Sequence, residues 1–250
     1  MTVSGAAGGK RREETWRVVR AVGAGESAEV FEVETPRGRR ALKWAKPDFE
    51  EVIEREARVL HAVGGGGVPR LFEVVLARAG SGEARLGLAL EWIEGPSLSA
   101  AFESLTPSEA EVCAERILVE LGTTLQEVHR LGWAHGDVKP DNILLRADGS
   151  PVLIDWGLVG SAGAHSVSGG TPRYLPPEAL DEGSVVGALA DTWALGLVVF
   201  ETAVSELRSE LNLAEAARKV LPGAWEARLR PFLEPKPGRR ASLALVASQL

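Results

Sequence analysis

The densest group of residues able to do chemistry lies past the middle of the 250-residue sequence. The stretch His135-Gly136-Asp137-Val138-Lys139-Pro140-Asp141-Asn142 holds two carboxylates, a lysine and an amide, and Asp155-Trp156-Gly157 adds a further carboxylate downstream. Carboxylate and amide oxygens are hard ligands that suit Mg²⁺, and a separate carboxylate can accept the proton of a hydroxyl nucleophile. This combination indicates a site for a metal–nucleotide complex.

The alternative interpretation is a polar loop whose Asp and Asn side chains only cap turns. One Asp-x-x-x-x-Asn pattern by itself favours that interpretation. Here Lys139 lies between Asp137 and Asn142, and Asp155 follows the apolar residues Val152-Leu153-Ile154. These additions favour the functional site.

The secondary structure that must position these residues is predicted to change along the chain, from mainly strands in the first part to mainly helices in the second. The first part predicts five strands and one helix, because β-branched and apolar runs alternate with glycine-rich turns and one segment has helical spacing. From Ser97 onward the pattern is mainly helical, beginning with the helix start Thr106-Pro107-Ser108-Glu109. The predicted strands are residues 16–22, 28–35, 39–45, 70–78 and 84–92, and the predicted helices are residues 48–63, 107–131 and 189–204, with others between 211 and 250.

Composition bounds the class of protein. Lys and Arg total 28 against 35 Asp and Glu, a net charge of −7, which argues against a surface for nucleic acid or anionic lipid. The single cysteine excludes an internal disulfide and suits a reducing cytosol. No secretory signal or membrane-length apolar run is present, so the sequence predicts a soluble, cytoplasmic protein.

The chain is predicted to be one domain. Its 45% hydrophobic residues are enough to bury a substantial core, and no linker divides it. Residues 1–15 are mostly small or charged and are predicted to be a flexible tail. The remainder, 16–250, is predicted to form two lobes, 16–93 and 94–250.

With these motifs in this order, the sequence from Trp16 to Leu250 resembles the eukaryotic-type serine/threonine protein kinases, and in particular the branch found in bacteria. The resemblance implies an α+β, two-lobed fold. A small N-terminal lobe would contain a five-stranded sheet and one helix, and a larger C-terminal lobe would be mainly α-helical. It also implies ATP with Mg²⁺ or Mn²⁺.

The resemblance assigns roles to the central residues. Asp137 would be the catalytic base that accepts the hydroxyl proton, and Lys139 would hold the γ-phosphate. Asn142 and Asp155 would be the metal ligands. His135 would be a structural residue that packs beneath the Asp155-Trp156-Gly157 turn.

By the same resemblance, Lys43 would hold the α- and β-phosphates and would pair with Glu56. We expect this pair to be partly exposed and to position phosphates rather than hold the fold. The glycine-rich loop keeps two of the family's three glycines, with Ala28 at the third position. The other residues implied in nucleotide binding are Val22, Gly23, Gly25, Val30, Ala41, Leu90, Glu91, Ile93 and Leu144.

Three further residues, Glu178, Arg240 and Asp191, would support the fold. The segment Gly170-Thr171-Pro172-Arg173-Tyr174-Leu175-Pro176-Pro177-Glu178 resembles the end of the family's activation segment, and its Glu178 would pair with Arg240. Asp191 would brace the backbone of the catalytic loop. The hydroxyl of Thr171 would bridge Asp137 and Lys139.

One departure from the family bears on regulation. Gly136 replaces the arginine that usually precedes the base and clamps a phosphorylated activation segment. Because glycine offers no charge-assisted contact, we expect activity without phosphorylation of this segment. The hydroxyls concerned are those of Ser161, Ser166, Ser168 and Thr171.

Two alternatives remain open. His-Gly-Asp and Ile-Asp-Trp also suit a small-molecule kinase of the aminoglycoside or choline type, but Lys139 and the Gly-Thr-x-x-Tyr segment argue against it. A non-catalytic pseudokinase would be expected to lack Lys43, Asp137 or Asp155, and all three are present. The expected partners are protein substrates, with a regulatory protein as a further candidate, and neither nucleic acid nor membrane.

Overall fold

This computed structural model describes residues 1–7, 10–80, 82–162, 165–166, 170–180, 185–205, 208, 212–219 and 223–243. The chain forms two compact units, Met1–Ile93 and Glu94–Leu250. Among the residues described, no helix combines the length and the apolar character needed to cross a membrane.

The first unit is built on an antiparallel sheet. Its strands are β1 Thr2–Ala7, β2 Lys10–Thr15, β3 Arg17–Ala24, β4 Ala28–Thr35, β5 Gly38–Ala45, β6 Leu71–Arg78 and β7 Arg85–Glu91. The spatial order is β2-β1-β6-β7-β5-β4-β3. The five strands predicted from the sequence are confirmed as β3 to β7.

The N-terminal residues correct two expectations. The sheet has seven strands rather than five, and the prediction of a flexible tail over residues 1–15 is wrong, because β1 pairs with both β2 and β6. Val3 is only 1% exposed and lies in the same core cluster as Trp16 and Trp44. Backbone pairing and one buried valine hold this segment in place. Neither feature is visible in a composition of small and charged residues.

One helix, α1 Glu50–Val63, accompanies the sheet in the first unit. It ends where Gly64 adopts a left-handed conformation with φ 76°, which glycine reaches without steric penalty. Its buried face is apolar at Ile53 and Leu60 but also includes Glu56. A buried carboxylate on an apolar face requires a partner.

The second unit is mainly helical. Its helices are α2 Leu98–Ala101, α3 Pro107–Arg116, α4 Gly122–Arg130, α5 Ala188–Ala203, α6 Leu213–Lys219 and α7 Gly223–Leu229. The predicted helix start is confirmed, since Thr106 and Glu109 form a reciprocal capping box. A π-helical turn, Ile117–Leu121, separates α3 from α4 within the single helix predicted over 107–131.

Short antiparallel strand pairs lie in the segments between these helices. They are β8 Trp133–Ala134 with β11 Gly160–Ser161, β9 Ile143–Leu145 with β10 Pro151–Leu153, and β12 His165–Ser166 with β13 Val185–Val186. The helix α5 is mostly apolar and almost wholly buried, with Trp193 and Phe200 among its largest side chains. A helix of this kind forms the core of its unit.

The buried position of Val3 yields a stability prediction. Val3→Asp would place a carboxylate among Trp16 and Trp44, so we expect the free energy of unfolding to fall by about 3 kcal/mol. Thr2→Asp adds the same charge at the exposed neighbouring position and should change it by less than about 0.5 kcal/mol. Urea unfolding followed by tryptophan fluorescence measures both. Equal midpoints for the two variants would show that β1 is not part of the folded sheet.

Candidate active site

The backbone before Asp137 is held by a buried carboxylate on α5. Asp191 is 1% exposed, and it accepts the N–H of His135 at 2.8 Å and that of Gly136 at 2.9 Å. Gly136 has φ 84°, a left-handed conformation that glycine adopts most readily. The expectation that Asp191 braces this loop is confirmed.

Asp191 keeps its negative charge although water is excluded from it. Burial alone would raise the pKa of its carboxyl, but the hydrogen bond and charge of His129, the nearby His135 and the Gly136 N–H together hold that pKa below its ordinary value. The Nε2 atom of His129 lies 2.8 Å from Asp191 Oδ2. The carboxylate is therefore a permanent acceptor for the loop.

His135 is fixed as a structural residue. Its Nδ1 accepts the N–H of Asp137 at 3.1 Å, so the proton resides on Nε2, which lies 3.1 Å from the carbonyl oxygen of Ile154. Its ring meets that of Trp156 edge-on, with the ring centroids 4.5 Å apart. The predicted packing of His135 beneath the turn at Trp156 is confirmed, and the ring is committed to these contacts.

The Asp137 carboxylate is surrounded by donors. Lys139 Nζ lies 2.6 Å from Oδ2, and the amide group of Asn142 donates to Oδ2 at 3.1 Å. Thr171 donates to Oδ1 from its backbone N–H at 3.1 Å and from its hydroxyl at 3.2 Å. Lys139 Nζ also donates to the Thr171 hydroxyl oxygen at 2.9 Å, so the predicted bridge through Thr171 is confirmed.

The register of the β9–β10 pair brings the two predicted metal ligands to the same end of a hairpin. Leu153 lies opposite Ile143, and the N–H of Ile154 donates to the Asn142 carbonyl oxygen at 2.8 Å. Asn142 uses its Nδ2 for Asp137, which leaves Oδ1 as the side-chain oxygen that can bind a cation. Asp155 is exposed. An amide oxygen and an exposed carboxylate at one hairpin end fit the ligands that Mg²⁺ prefers.

Glu178, at the end of the 170–178 segment, is fixed to the second unit by an ion pair. Arg240 contacts the Glu178 carboxylate with both terminal nitrogens, at 2.6 and 2.9 Å, and its side chain is buried. The same guanidinium donates to the carbonyl oxygen of Leu189 at 2.9 Å, at the start of α5. The predicted Glu178–Arg240 pair is confirmed.

In the first unit, Lys43 on β5 and Glu56 on α1 form a close ion pair. Lys43 Nζ lies 2.7 Å from Glu56 Oε2, and the two side chains are only 7% and 1% exposed. The expectation of a partly exposed pair is therefore wrong. The predicted contact is present, but it joins helix to sheet in the interior.

The glycine-rich loop is the turn between β3 and β4. The N–H of Gly25 donates to the Ala28 carbonyl oxygen at 2.9 Å, and Lys46 Nζ donates to the carbonyl oxygen of Gly25 at 2.6 Å. A Cβ atom built on Gly23 meets no heavy atom within 4 Å, and one built on Gly25 only approaches Ala28 at 4.0 Å. Open backbone of this kind allows a phosphate to approach.

The remaining predicted nucleotide-binding residues lie along the strands. In the first unit, Val30 on β4 is opposite Lys43, and Ala41 on β5 is opposite Leu90 on β7. Leu90 and Ile93 are buried, and Val22 on β3 is exposed.

Two members of that set have their own local contacts. The carboxylate of Glu91 accepts the N–H of Arg70 at 3.3 Å. Leu144 belongs to the second unit, where it lies on β9 opposite Val152.

Sequence reasoning missed one residue that reaches this region. Glu201, near the end of α5, is 3% exposed and receives hydrogen bonds from Arg173 and Tyr174, both at 2.7 Å. These two residues follow Thr171 closely in the chain. The available signal was a lone carboxylate in the apolar run of α5, which by itself resembles an ordinary helix end.

Comparison with known proteins agrees with this geometry. The sequence profile of the protein kinase domain matches residues 16–220, which is most of the chain. The chain therefore belongs to the protein kinase family, and the resemblance noted in the sequence is confirmed.

Similar proteins carry kinase names. CBL-interacting protein kinase 4 of Oryza sativa subsp. japonica is 30% identical over 238 residues, covering 88% of this chain and 51% of that protein. CBL-interacting serine/threonine-protein kinase 26 of Arabidopsis thaliana is 29% identical over 90% of this chain and 53% of its own length. Serine/threonine-protein kinase PknA of Nostoc sp. is 28% identical over 87% and 42%. The chain thus spans about half the length of these relatives.

The buried Lys43–Glu56 pair leads to a prediction about stability. Lys43→Met leaves the Glu56 carboxylate buried without its counter-charge, so we expect the free energy of unfolding to fall by about 3–5 kcal/mol. The double variant Lys43→Met/Glu56→Met replaces the pair with apolar side chains of similar length and should recover most of that loss. Urea unfolding compares the three proteins. A double variant no more stable than Lys43→Met would contradict the role given to the buried charge.

Proposed function

We propose that the protein is a serine/threonine protein kinase that transfers the γ-phosphate of ATP to hydroxyl groups of proteins. The observation that carries the proposal is the contact of Asp137 with both Lys139 and Thr171, in a loop braced by Asp191. Membership of the protein kinase family supports it. The substrate class and the dependence on a divalent metal are inferred from the residues present in the site.

Asp137 is the proposed base. A carboxylate has about four lone-pair sites, and the four donors around Asp137 from Lys139, Asn142 and Thr171 use them all. A substrate hydroxyl must therefore displace one donor. The Lys139 ammonium is the most mobile, because it ends a flexible stem and is attracted to a phosphate as readily as to a carboxylate.

The proposed phosphoryl transfer forms one bond to phosphorus and breaks another. The acceptor hydroxyl oxygen forms a bond to the γ-phosphorus as the bond from that phosphorus to the bridging oxygen of ADP breaks, and the hydroxyl proton passes to Asp137. Lys139 then balances negative charge on the phosphoryl group. His135 takes no part in proton transfer, since both of its ring nitrogens are engaged by the loop.

Asn142 and Asp155 are the residues that would hold Mg²⁺ or Mn²⁺. A bound divalent ion supplies positive charge that neutralises the phosphate oxygens during transfer. Lys43, kept in place by Glu56, is proposed to hold the α- and β-phosphates. The open backbone at Gly23 and Gly25 is proposed to accept phosphate oxygens at its N–H groups.

We further propose that activity does not require phosphorylation of the activation segment. Gly136 offers no guanidinium to a phosphate, while contacts within the chain already hold Thr171 and Glu178. Ser161 is exposed and Ser166 lies in β12, whereas Ser168 is outside the described residues. A phosphate on Thr171 itself would disrupt its bridge to Asp137.

The names of relatives suggest how such an enzyme is controlled. Several are called CBL-interacting kinases, which describes a protein partner of those kinases. We propose that this chain is also controlled by a regulatory protein or by its abundance. The Gly170–Glu178 segment, bound at both ends within the second unit, favours protein acceptors over the small-molecule alternative.

Substitutions at Asp137 and Asp155 test the proposal. Asp155→Asn should remove nearly all transfer of labelled phosphate from ATP to a generic acceptor protein in the presence of Mg²⁺. Asp137→Asn should reduce it by about 10²–10⁴. Asp141→Asn is a matched control in the same loop, because Asp141 is exposed and contacts Ser99. Transfer at the wild-type rate by the Asp137 or Asp155 variant would refute the assignment.

Phosphatase treatment tests the regulatory part. Protein stripped of phosphate, as verified by mass spectrometry, should show its full initial rate at once on an acceptor protein. The triple variant Ser161→Ala/Ser166→Ala/Ser168→Ala should behave in the same way. A lag in the stripped wild type that disappears after pre-incubation with ATP, and persists in the triple variant, would show that phosphorylation is required.

A further inference from the structure

The strand that leads into the glycine-rich loop has no buried face to fix its position. In the sheet formed by the described residues, β3 lies at one edge beside β4, and all eight of its residues are exposed. Its pairing with β4 is irregular at two places, between Val18 and Arg20 and between Ala21 and Gly23. Because a buried face is what normally specifies the register of a strand, the register of β3 depends on other contacts.

One buried carboxylate reaches β3 between these two irregularities. Arg20 lies directly opposite Glu32 of β4, and its Nε donates to Glu32 Oε2 at 2.7 Å. The Glu32 side chain is only 7% exposed, although that of Arg20 is 60% exposed. Opposite charges on facing residues of two antiparallel strands stabilise their pairing, and burial of one partner strengthens the bond between them. The contact therefore opposes a slip of β3 along β4.

The same carboxylate also joins β3 to the rest of the sheet. Arg39 of β5 places its Nε 3.2 Å from Glu32 Oε1, so guanidinium groups from the strands on both sides of β4 meet at this side chain. Both groups also lie over the ring of Trp92, the residue after β7, with the Cζ atoms of Arg20 and Arg39 at 5.5 and 5.9 Å from its centroid. A guanidinium is attracted to the face of an indole ring. Arg20, Glu32, Arg39 and Trp92 thus form one cluster.

The register of β3 decides where the glycine-rich loop lies. Gly23 is opposite Val30 of β4, and Val30 is in turn opposite Lys43 of β5. A slip of β3 by one residue would move the N–H of Gly23 by roughly 3 Å relative to Lys43, since this is the rise of one residue in a strand. A hydrogen bond to a phosphate oxygen does not survive a displacement of that size.

We infer that Glu32 is a positioning residue that fixes the register of β3 and so places the open backbone of the glycine-rich loop for the phosphates of ATP. It acts through Arg20, while Arg39 and Trp92 hold the cluster to the rest of the sheet. Glu32 itself is not proposed to contact the nucleotide. The inference rests on the proposed kinase function and adds a residue to its nucleotide site.

Glu32→Gln tests the inference, because it keeps the side-chain volume but removes the charge. Amide hydrogen exchange over β3 should become at least about tenfold faster, while exchange over β7 stays unchanged. Arg17→Met is the matched control. Arg17 lies on the same strand but pairs with Glu34 where both side chains are more than half exposed, and such pairs contribute little. Unchanged exchange over β3 in Glu32→Gln would overturn the inference.

Nucleotide affinity gives a second measurement, by calorimetry in the presence of Mg²⁺. Glu32→Gln should bind ATP at least about tenfold more weakly, whereas its affinity for adenosine, which has no phosphates, should fall by less than about threefold. A general loss of structure would weaken the binding of both ligands equally. In phosphate transfer, the KM for ATP should rise with little change in kcat, because contacts to the phosphates exist both before and during transfer.

Arg20→Met removes the same contact from its exposed side, and it decides the question if Glu32→Gln does not fold. It should reproduce the faster exchange of β3 and the weaker binding of ATP. Arg20→Lys keeps a positive charge and should recover part of both. Equal losses of affinity for ATP and adenosine would overturn the inference. A wild type that binds no ATP would instead refute the proposed function, and the exchange of β3 is measured without any nucleotide.

Discussion

The contact on which the second unit depends most is the acceptance of two consecutive backbone N–H groups by the Asp191 carboxylate. A carboxylate without access to water is stable only when donors surround it, and here the donors are the backbone of the loop itself together with His129. The loop cannot move away without exposing that charge to an apolar interior. Its geometry is therefore set by the helix that carries Asp191.

The same device recurs in both units. Glu56 is buried against Lys43, Glu201 against Arg173 and Tyr174, and Glu178 receives both terminal nitrogens of Arg240. Such pairs add little net stability compared with apolar packing, because desolvation offsets their attraction. They do penalise every arrangement in which the partners separate. In this chain, buried charge serves mainly to fix positions.

Much of this could be predicted from the sequence. The strands β3 to β7, the helix start at Thr106 and the Glu178–Arg240 pair follow from local pattern or from motif order. Contacts whose partners come from unremarkable sequence could not be predicted. The β1 strand is mostly small residues and enters the sheet by backbone pairing, and Glu201 has no motif of its own. The burial of Lys43 and Glu56 could not be predicted, because the depth of these side chains depends on how the helix packs against the sheet.

The backbone conformation of Gly136 also limits which residues its position can accept. A glycine codon becomes an arginine codon by one base change, so the family's usual residue is always within mutational reach. At φ 84°, however, any residue with a Cβ atom is strained by about 1–2 kcal/mol. An arginine at this position would be strained at once. It could form an ion pair only if a phosphate were present on a segment that Glu201 and Arg240 already hold. The left-handed backbone at position 136 therefore favours glycine whatever the phosphorylation state of that segment.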